Sequence, residues 1–488
     1  MQRAIQLMFR GRRCELDGRA ARVTVLEWLR TGQGAVGTKE GCAEGDCGAC
    51  TVVLARLQGG VIRYEAVNAC IMLVGQAHGA AVLTIEDLCR PEARLHAIQE
   101  AMVRHHGSQC GFCTPGIVMS LYAQHQGGQR PVTREAVVDQ LAGNLCRCTG
   151  YRPIVAAALE AASQPSGDDA ALVAGLRLLG QETGDDLFAG DDDAFFAAPA
   201  SERSLQDLLA RYPRAMILAG GTDAGLWITK ALTEPRHVIW LGRVAGLGDV
   251  EHAGDHLAFG AMVTHTQAMP HLAALDSDLG EIMRRFGSVQ VRNSGTVGGS
   301  IANASPIGDL APCLIALGAT LELASAEGIR TLPLEQFFIA YKRQDRRPGE
   351  YIRRLLVPVG AAQRRFRAFK ISKRTDEDIS TVLGAFAFDL DGRNIAAARL
   401  AFGGMAGVPA RARAAESALA GSSLDQPGHW EAAMAALQRD FSPIDDHRAS
   451  AVYRRLVAAN ILRKALMELA GAAPNELRLQ PRREVMHD

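Results

Sequence analysis

The chain has no excess of charge of either sign. Its fifty-three Lys and Arg residues are balanced by fifty-three Asp and Glu residues, so the formal net charge at pH 7 is zero. Without a global field of one sign, the sequence predicts no nucleic acid partner and no attraction to an anionic membrane. The composition is otherwise that of a globular protein, with 48% hydrophobic and 22% charged residues.

Long apolar runs are also missing from the sequence. No stretch reaches about eighteen apolar residues, the length that a membrane-spanning helix requires. The N-terminal segment MQRAIQLMFRGRRC lacks the apolar core of a signal peptide. We therefore expect a cytoplasmic protein that neither spans a membrane nor is exported by that route. At 488 residues the chain is too long for a single core, so several domains are expected.

Cysteine, by contrast, is present in an unusual pattern. Eight of the eleven cysteines fall in two clusters within the first 150 residues, whereas Cys14, Cys89 and Cys313 stand alone. Such clustering in a long chain without a secretion signal favours metal ligation over disulfides. We interpret the three isolated cysteines as buried thiols, because free cysteine is usually buried.

The first cluster of cysteines has the spacing of a plant-type [2Fe–2S] site. Its members are Cys42, Cys47, Cys50 and Cys70, and the pattern C-x4-C-x2-C with a distant fourth cysteine is the plant-type ferredoxin spacing. Gly41, Gly45 and Gly48 let one tight loop bring three thiolates together. Zinc is the alternative, but zinc sites usually combine two C-x2-C halves, so the spacing favours iron and sulfur.

The second cluster of cysteines is less specific when it is taken alone. Its members are Cys110, Cys113, Cys146 and Cys148, at the ends of predicted helices. These two short pairs are compatible with zinc as well as with an iron–sulfur cluster. The neighbouring His105 and His106 are interpreted as surface residues, since four cysteines already complete a ligand set.

Two kinds of predicted structure surround the cysteines. Before residue 88 the pattern indicates a small mixed sheet, with strands at 4–9, 13–16, 51–57, 61–64 and 81–85. A capping box of Thr24 and Glu27 begins one short helix. Helices are then predicted at 95–103, 117–125, 134–141 and 154–162. The Asp-, Gly- and Ala-rich stretch 163–199 breaks the periodicity and is interpreted as a linker, with one helical piece near 172–179.

The remaining sequence reads as mixed α and β structure. Strands are predicted at 216–218, 238–241, 257–259, 321–323, 366–371, 382–389 and 395–402, and helices at 278–286, 431–437 and 449–469. Two glycine motifs lie here, ILAGGTDAG at 217–225 and RNSGTVGGSIANASPIGD at 292–309. A strand that runs into glycines and then a helix exposes N–H groups to a pyrophosphate. An ordinary tight turn is the alternative, and the G-x-G-x-x-G order of a Rossmann site is absent.

The cysteine segments GTKEGCAEGDCGACTV, SQCGFCTPG and NLCRCTGYRP together resemble the two-cluster module of the molybdenum hydroxylases, the xanthine oxidase family. The resemblance implies that the second cysteine set also holds a [2Fe–2S] cluster, the one closest to molybdopterin. It implies further that Gln109 contacts the pterin and that Cys148 lies on the electron path.

The glycine motifs are similar to the FAD domain of the same family, which has a non-Rossmann fold. The resemblance implies that FAD is bound by Ile217, Leu218, Ala219, Gly220, Gly221, Thr222, Asp223, Gly295, Thr296, Val297, Gly298 and Gly299. Phe286 is expected against the flavin ring, Asp309 as a polar contact, and Lys370 of FKISKRTDEDIS facing the cofactor. Phe286 could equally fill the core, and Asp309 could cap a helix that begins near Leu310.

The resemblance covers nearly the whole chain and implies a multidomain α+β protein. Its expected parts are a plant-type ferredoxin (β-grasp) domain at 1–88, a four-helix [2Fe–2S] domain at 89–165, a linker at 166–195, an FAD-binding domain at 196–363 and a C-terminal flavoprotein domain at 364–488. No molybdenum domain is expected in this chain. The hydroxylating site is therefore expected on a large molybdopterin-binding partner, in a heterotetramer or a larger assembly.

The activity that the resemblance implies is electron transfer. Electrons from the oxidation of hypoxanthine and xanthine to urate pass from molybdenum through two [2Fe–2S] clusters to FAD and then to NAD+. Two alternatives remain open at this point. One is the equivalent subunit of another molybdenum hydroxylase, acting on an aldehyde or an N-heterocycle, and the other is an autonomous flavin and iron–sulfur reductase.

Overall fold

The computed structural model of the chain describes residues 3–88, 95–128, 132–167, 169–360 and 363–472. Cys89, expected to be a buried thiol, lies outside the described residues. The strands are β1 Ile5–Phe9, β2 Arg12–Leu16, β3 Thr51–Gln58, β4 Val61–Asn68, β5 Ala81–Leu83, β6 Leu187–Gly190, β7 Phe195–Ala198, β8 Met216–Leu218, β9 His237–Trp240, β10 Val250–Ala253, β11 His256–Gly260, β12 Thr320–Ser325, β13 Gly328–Pro333, β14 Phe338–Ala340, β15 Arg343–Gln344, β16 Tyr351–Pro358, β17 Arg364–Ile371, β18 Val382–Asp391, β19 Asn394–Gly403 and β20 Ala410–Arg411.

Seventeen α-helices lie in the described part of the chain, most of them between residues 97 and 317 or after residue 413. They are α1 Val25–Glu27, α2 Ala97–Arg104, α3 Thr114–Gln126, α4 Arg134–Leu141, α5 Arg152–Ala161, α6 Ala170–Glu182, α7 Glu202–Arg211, α8 Ala224–Thr229, α9 His265–Leu275, α10 Ser277–Arg284, α11 Val289–Ser294, α12 Val297–Asn303, α13 Leu310–Leu317, α14 Leu334–Phe337, α15 Arg413–Leu419, α16 Glu431–Asp440 and α17 Ala451–Ala470. None of the helices in the described ranges is both long and apolar enough to cross a membrane.

The chain divides into two compact units. The first comprises Met1–Gly248, Thr264–Thr266 and Gly287–Thr296, and the second comprises Asp249–Val263, Gln267–Phe286 and Val297–Asp488. Both cysteine sets and the first glycine motif therefore belong to the first unit. The second glycine motif has residues in each unit.

The first unit begins with the small mixed sheet that the sequence predicts. Its strand order is β2-β1-β5-β3-β4, in which β1 and β5 are parallel and the other neighbours are antiparallel. The hydroxyl of Thr24 accepts a hydrogen bond from the Glu27 N–H at 3.1 Å and so caps α1. A π-helical turn continues α1 over Trp28–Gly32 and buries Trp28 and Leu29. The hairpins and the capped helix are confirmed.

Four helices follow the sheet, as predicted. Helices α2, α3, α4 and α5 enclose a core that includes Ile117, Val137 and Ile154, all fully buried. Thr133 caps α4 through its hydroxyl, which accepts from the Ala136 N–H at 3.2 Å. Pro153 stands in the first turn of α5, where its missing N–H costs nothing, so this helix starts two residues earlier than predicted.

The stretch expected to be a linker is instead folded, so the interpretation of 166–195 as a linker is wrong. Helix α6, whose helical pattern near 172–179 was expected, packs Leu176 and Leu179 against Met8 and Ala55 of the mixed sheet. Strands β6 and β7 form an antiparallel hairpin in a second sheet, of order β6-β7-β9-β8. The acidic run Asp191–Asp193, which suggested a linker, is the turn of this hairpin.

The second unit contains a five-stranded and a four-stranded antiparallel sheet, besides the two-stranded sheet of β14 and β15. The five-stranded sheet has the order β10-β11-β16-β12-β13 and the four-stranded sheet the order β17-β18-β19-β20. Helix α13 is buried along its whole length in a core to which both of these sheets contribute, whereas α15, α16 and α17 pack in a separate core with the four-stranded sheet. Cys313 lies in α13 and is 1% exposed, and burial raises its pKa well above the usual value, which confirms the expectation of a buried thiol there. Cys14, in contrast, is only partly buried.

Candidate functional site

The first cysteine set gathers four sulfur atoms at the edge of the mixed sheet. Cys42, Cys47 and Cys50 lie on the loop that precedes β3, and Cys70 follows β4. Hydrogen bonds link the sulfur of Cys42 to those of Cys47 and Cys70, and Cys70 in turn to Cys50. The thiols of Cys47 and Cys70 lower the pKa of Cys42 well below the usual range. The loop and the segment after β4 therefore bring four sulfur atoms together, and that of Cys42 is favoured as a thiolate.

The backbone of this loop also fits an iron–sulfur cluster. The N–H groups of Glu44 and Cys47 each donate to the Cys42 sulfur at 3.4 Å, the kind of bond that tunes a cluster. Gly45 and Gly48 have positive φ values of 80° and 67°, which curl the loop. A Cβ at Gly41 would lie 2.8 Å from the Cys47 sulfur, so a side chain there would displace a ligand.

The second cysteine set consists of two pairs at the ends of the helices. Cys110 and Cys113 precede α3, and Cys146 and Cys148 lie between α4 and α5. The sulfur of Cys148 lies 3.6 Å from that of Cys110, and Cys113 is hydrogen-bonded to Cys146. The Phe112 N–H and the Cys148 thiol lower the pKa of Cys110, whereas burial raises the pKa of Cys113 to about 12. The four sulfurs of this set thus lie as two close pairs, Cys110 with Cys148 and Cys113 with Cys146.

Exposure distinguishes the members of the second set. Cys110 and Cys148 are exposed, as is the neighbouring Gln109, the residue expected at the pterin. On the inner side the Tyr151 hydroxyl accepts from the Cys146 N–H at 2.7 Å and donates to the Asn144 carbonyl at 3.0 Å.

The histidine beside this set contacts a carboxylate and not a cysteine: His105 is hydrogen-bonded to Glu160 at 2.5 Å. Among the described residues, no three His, Cys, Asp or Glu side chains are grouped around a position for one ion.

The two cysteine segments pack directly on each other. The Leu145 N–H donates to the Cys47 carbonyl at 3.0 Å. A Cβ at Gly48 would lie 2.0 Å from the Gly143 carbonyl oxygen, and one at Gly116 would lie 2.2 Å from the Gly48 carbonyl oxygen. Glycine at these positions thus permits backbone to approach backbone between the two ligand loops.

A buried cluster of amides and one hydroxyl ties these loops to α11. The side chain of Asn144 donates to the Gly48 carbonyl and to the Thr51 hydroxyl, both at 3.1 Å. Gln290, fully buried on α11, donates to the Asn144 side-chain oxygen at 2.8 Å and to the same Thr51 hydroxyl at 3.1 Å. The segment before the second glycine motif is therefore fixed to both ligand loops within the first unit.

The first glycine motif forms a turn between β8 and α8. Gly221 has a φ of 83°, and a Cβ at Gly220 would lie 1.9 Å from the Ser294 carbonyl oxygen. Within the described ranges, the N–H groups of Gly220, Gly221 and Thr222 donate no hydrogen bond to the chain. Unsatisfied successive N–H groups in a turn form an anion-binding concavity, so this turn fits a pyrophosphate. Helix α8 has only six residues, so the turn and not a long helix dipole would supply the attraction.

The second glycine motif uses its glycines and N–H groups differently. In the first unit, the Gly295 N–H donates to the Val291 carbonyl at 2.7 Å. In the second unit, the N–H groups of Val297 and Gly298 donate to the carbonyls of Val263 and Ala261. A Cβ at Gly298 would lie 2.7 Å from the Ala261 backbone, so this glycine allows α12 to pack on the chain before α9.

Asp309 and Lys370 form a buried ion pair in the second unit. The Lys370 ammonium donates to the Asp309 carboxylate at 2.7 Å and to the Arg285 carbonyl at 3.0 Å. The two side chains are 1% and 5% exposed, so each charge is compensated by the other. Asp309 stands at the N-cap of α13, but its side chain makes no capping bond. Phe286 is half-buried.

Sequence reasoning missed several residues that support these loops. Asn68 donates to the Gly45 carbonyl at 2.8 Å, and Lys230 donates to the Cys42 carbonyl at 2.5 Å. Tyr151 and Gln290 were likewise not singled out. Tyr151 lies only three residues after Cys148 in the sequence, so this closeness to a predicted ligand could have marked it as a supporting residue. The others contact partners more than twenty residues away, which no local pattern reveals.

Three family profiles match successive parts of the chain. A [2Fe-2S] binding domain matches residues 84–159, an FAD binding domain in molybdopterin dehydrogenase matches residues 192–360, and a CO dehydrogenase flavoprotein C-terminal domain matches residues 367–469. The second cysteine set thus falls in the first match, and the glycine motifs fall in the second.

Relatives and solved structures agree with these profiles. The xanthine dehydrogenase of Emericella nidulans is 31% identical over 90% of this chain and 36% of its own length. A carbon monoxide dehydrogenase from Hydrogenophaga pseudoflava is 28% identical, with a TM-score of 0.52 over 55% of this chain and 94% of that chain. Quinoline 2-oxidoreductase from Pseudomonas putida 86 is 27% identical, with a TM-score of 0.51 over 56% and 95%. The chain spans about a third of the length of the curated relatives it matches.

Proposed function

Because the chain belongs to the molybdenum hydroxylase family, whose iron–sulfur and FAD-binding domains it carries, we propose that it conducts electrons between a molybdenum centre and FAD. The molybdenum centre is proposed to lie on a large molybdopterin-binding partner. The eight cysteines of the two sets are proposed to hold two [2Fe–2S] clusters, and the turn at residues 217–223 to hold the FAD pyrophosphate.

The observation that carries this proposal is that the first cysteine loop contacts both of the other motifs. On one side its Cys47 carbonyl accepts from Leu145, next to Cys146 of the second set. On the other side a Cβ at Gly225 of α8 would lie 2.4 Å from the Ile71 carbonyl oxygen, next to Cys70. Lys230, just after α8, donates to the Cys42 carbonyl. These contacts support the order second set, first set, flavin turn.

When bound, the clusters supply one-electron transfer and the flavin supplies exchange of electron pairs. The residues of this chain hold and orient these groups. The four thiols of each set would ligate iron, and the N–H groups of Gly220 to Thr222 would donate to the pyrophosphate. The N–H groups of Glu44 and Cys47 donate to the sulfur of Cys42. Asn68 and Tyr151 fix the ligand loops through the carbonyl of Gly45 and the N–H of Cys146.

The substrate is proposed to be a purine, with NAD+ as the acceptor. The likeness to xanthine dehydrogenases over most of the chain supports an NAD-dependent xanthine dehydrogenase subunit that acts in the oxidation of hypoxanthine and xanthine to urate. The likeness to quinoline 2-oxidoreductase supports the second candidate, the equivalent chain of a hydroxylase for another N-heterocycle or an aldehyde. We propose a cytoplasmic heterotetramer or larger assembly.

Purification from the native source tests this function. The complex is expected to contain about four irons and one FAD per copy of this chain, together with a large molybdopterin-bearing partner. It is expected to reduce NAD+ with hypoxanthine or xanthine, and aldehydes and quinoline are the matched alternative substrates. Zinc in place of half the iron would refute the second cluster. An isolated chain that works as a complete reductase would instead identify an autonomous carrier.

A further inference from the structure

Gln76 joins the segment after Cys70 to the turn of the first glycine motif. Its side chain is 4% exposed and lies in the first unit. The side-chain amide nitrogen donates to the carbonyls of Ala219 and Gly220 at 3.3 and 3.2 Å, and the side-chain oxygen accepts from the Leu73 N–H at 3.0 Å. Both polar atoms of this buried side chain are thus hydrogen-bonded to backbone groups. The oxygen bonds Leu73, three residues earlier, and the nitrogen bonds the distant glycine turn.

The direction of these carbonyls determines the direction of the N–H groups that follow them. In a trans peptide the C=O of one residue and the N–H of the next point in opposite directions. Because the carbonyls of Ala219 and Gly220 point at Gln76, the N–H groups of Gly220 and Gly221 point away from it. These are two of the three N–H groups in the described turn that donate no hydrogen bond to the chain.

The turn packs closely against Gln76 and against the start of the second glycine motif. An ideal Cβ at Gly221 would lie 3.2 Å from the Gln76 side-chain oxygen, and one at Gly220 would overlap the Ser294 carbonyl. The Gln76 carbonyl is itself bonded by the buried guanidinium of Arg56. Gln76 is therefore fixed from the side of the mixed sheet and in turn fixes the peptide planes of the glycine turn.

We propose that Gln76 is a positioning residue for FAD: it turns two peptide planes so that their N–H groups face the pyrophosphate. The inference rests on the proposed function, because it requires that this turn bind FAD. It assigns to the iron–sulfur part of the chain a direct role in flavin affinity. The segment that supplies the fourth ligand of the first cluster thereby also preorganises the flavin turn.

Rebinding of FAD to the FAD-free complex tests this proposal, with the dissociation constant followed by quenching of flavin fluorescence. Gln76→Glu retains an acceptor for the Leu73 N–H but replaces both donors by a carboxylate oxygen. Gln76→Met removes all polar atoms of the side chain but keeps its length, and it serves as the test variant if Gln76→Glu does not fold. Gln140→Glu is the matched control, since the Gln140 amide likewise donates to a backbone carbonyl, that of Ser120 at 2.8 Å, outside the flavin turn.

We expect the Gln76 variants to bind FAD about tenfold more weakly, as two net hydrogen bonds allow. ADP, which carries the pyrophosphate without the flavin ring, should lose affinity as a competitor by a similar factor. The first-cluster spectrum should match that of the parent. The thermal unfolding of the FAD-free complex should shift by no more than in the Gln140→Glu control, because both substitutions remove amide hydrogen bonds to backbone carbonyls.

Three results would overturn the inference. They are equal FAD affinity in the Gln76 variants and the parent, a loss of affinity for FAD without a loss for ADP, and a clearly larger loss of stability in the FAD-free form than the Gln140→Glu control shows, which would indicate a general structural role. A parent complex that binds no FAD would instead refute the proposed function. The two failures are therefore distinguishable.

Discussion

The two cysteine sets differ in where the fold places them. In the first set Cys50 and Cys70 are 1% and 3% exposed and belong to a core that the mixed sheet shares with β6, β7, β8 and β9. In the second set Cys110 and Cys148 are exposed, and Cys113 and Cys146 only border the helical core. One ligand set is thus built into a hydrophobic core, and the other opens to the surface.

This difference indicates different consequences of losing a ligand. Because a metal site forms only in the folded chain, ligand binding energy contributes to folding, and most strongly where the ligands are part of the core. If the second set holds a cluster as proposed, its exposed pair of cysteines should be able to release it with little rearrangement of the packed residues. Under the proposed function, an exposed second cluster would also be the one that electrons from a partner subunit can reach.

The largest expected effect separates conduction from folding. Cys148→Ser should lower the reduction of NAD+ by purine a hundredfold or more, because the second centre is lost, while NADH oxidation by a dye at the flavin stays near the parent rate. Cys70→Ser should instead abolish both activities together with the folded mixed sheet. The measurements are the two steady-state rates, iron content and circular dichroism of the purified complexes. Equal loss of both activities in Cys148→Ser, with fold and FAD intact, would contradict the proposed order of centres.

A smaller effect, on stability, separates steric overlap from backbone strain at one glycine beside each cysteine set. Gly48 and Gly150 have nearly the same positive φ, 67° and 68°, but only Gly48 has neighbours within 4 Å of an added Cβ. Alanine at either position costs about 1 kcal/mol of strain or somewhat more. At Gly48, overlap with the Gly143 carbonyl should add about 1–3 kcal/mol. Thermal unfolding of Gly48→Ala and Gly150→Ala measures the difference, and equal destabilisation would show that the close approach of the loops is not required.

Local patterns predicted the regular elements before residue 165 well, but after residue 200 they missed several, including α7, α9 and β16. The hairpin of β1 and β2, the Thr24 cap and helix α4 follow from alternation, capping residues and helical periodicity, each confined to a few residues. The error at 166–195 has a physical cause. Strands β6 and β7 have four residues each, too few for a periodic signal, and the acidic turn between them has the composition of a linker.

The ligand sets were readable from sequence, whereas the residues that arrange them were not. Cysteine spacing is a local signal, because the loop itself brings three thiols together. Gln76 contacts a turn that lies 143 residues further along the chain, and Gln290 reaches Thr51 across 239 residues. Such contacts depend on how sheets and helices pack. A buried glutamine has no signature until the tertiary structure places partners around both ends of its amide.

The smallest expected effect concerns the rate at which iron is lost. In a complex freed of its molybdenum partner, a chelator should remove the second cluster several-fold faster than the first, because two of its four ligands are exposed while two of the first set lie in the core. Loss of the cluster absorbance should then follow two phases of similar amplitude. Cys148→Ser assigns them, since it should lack the fast phase alone. A single phase in the parent, or loss of the slow phase in this variant, would show that burial of the ligands does not determine how firmly each cluster is held.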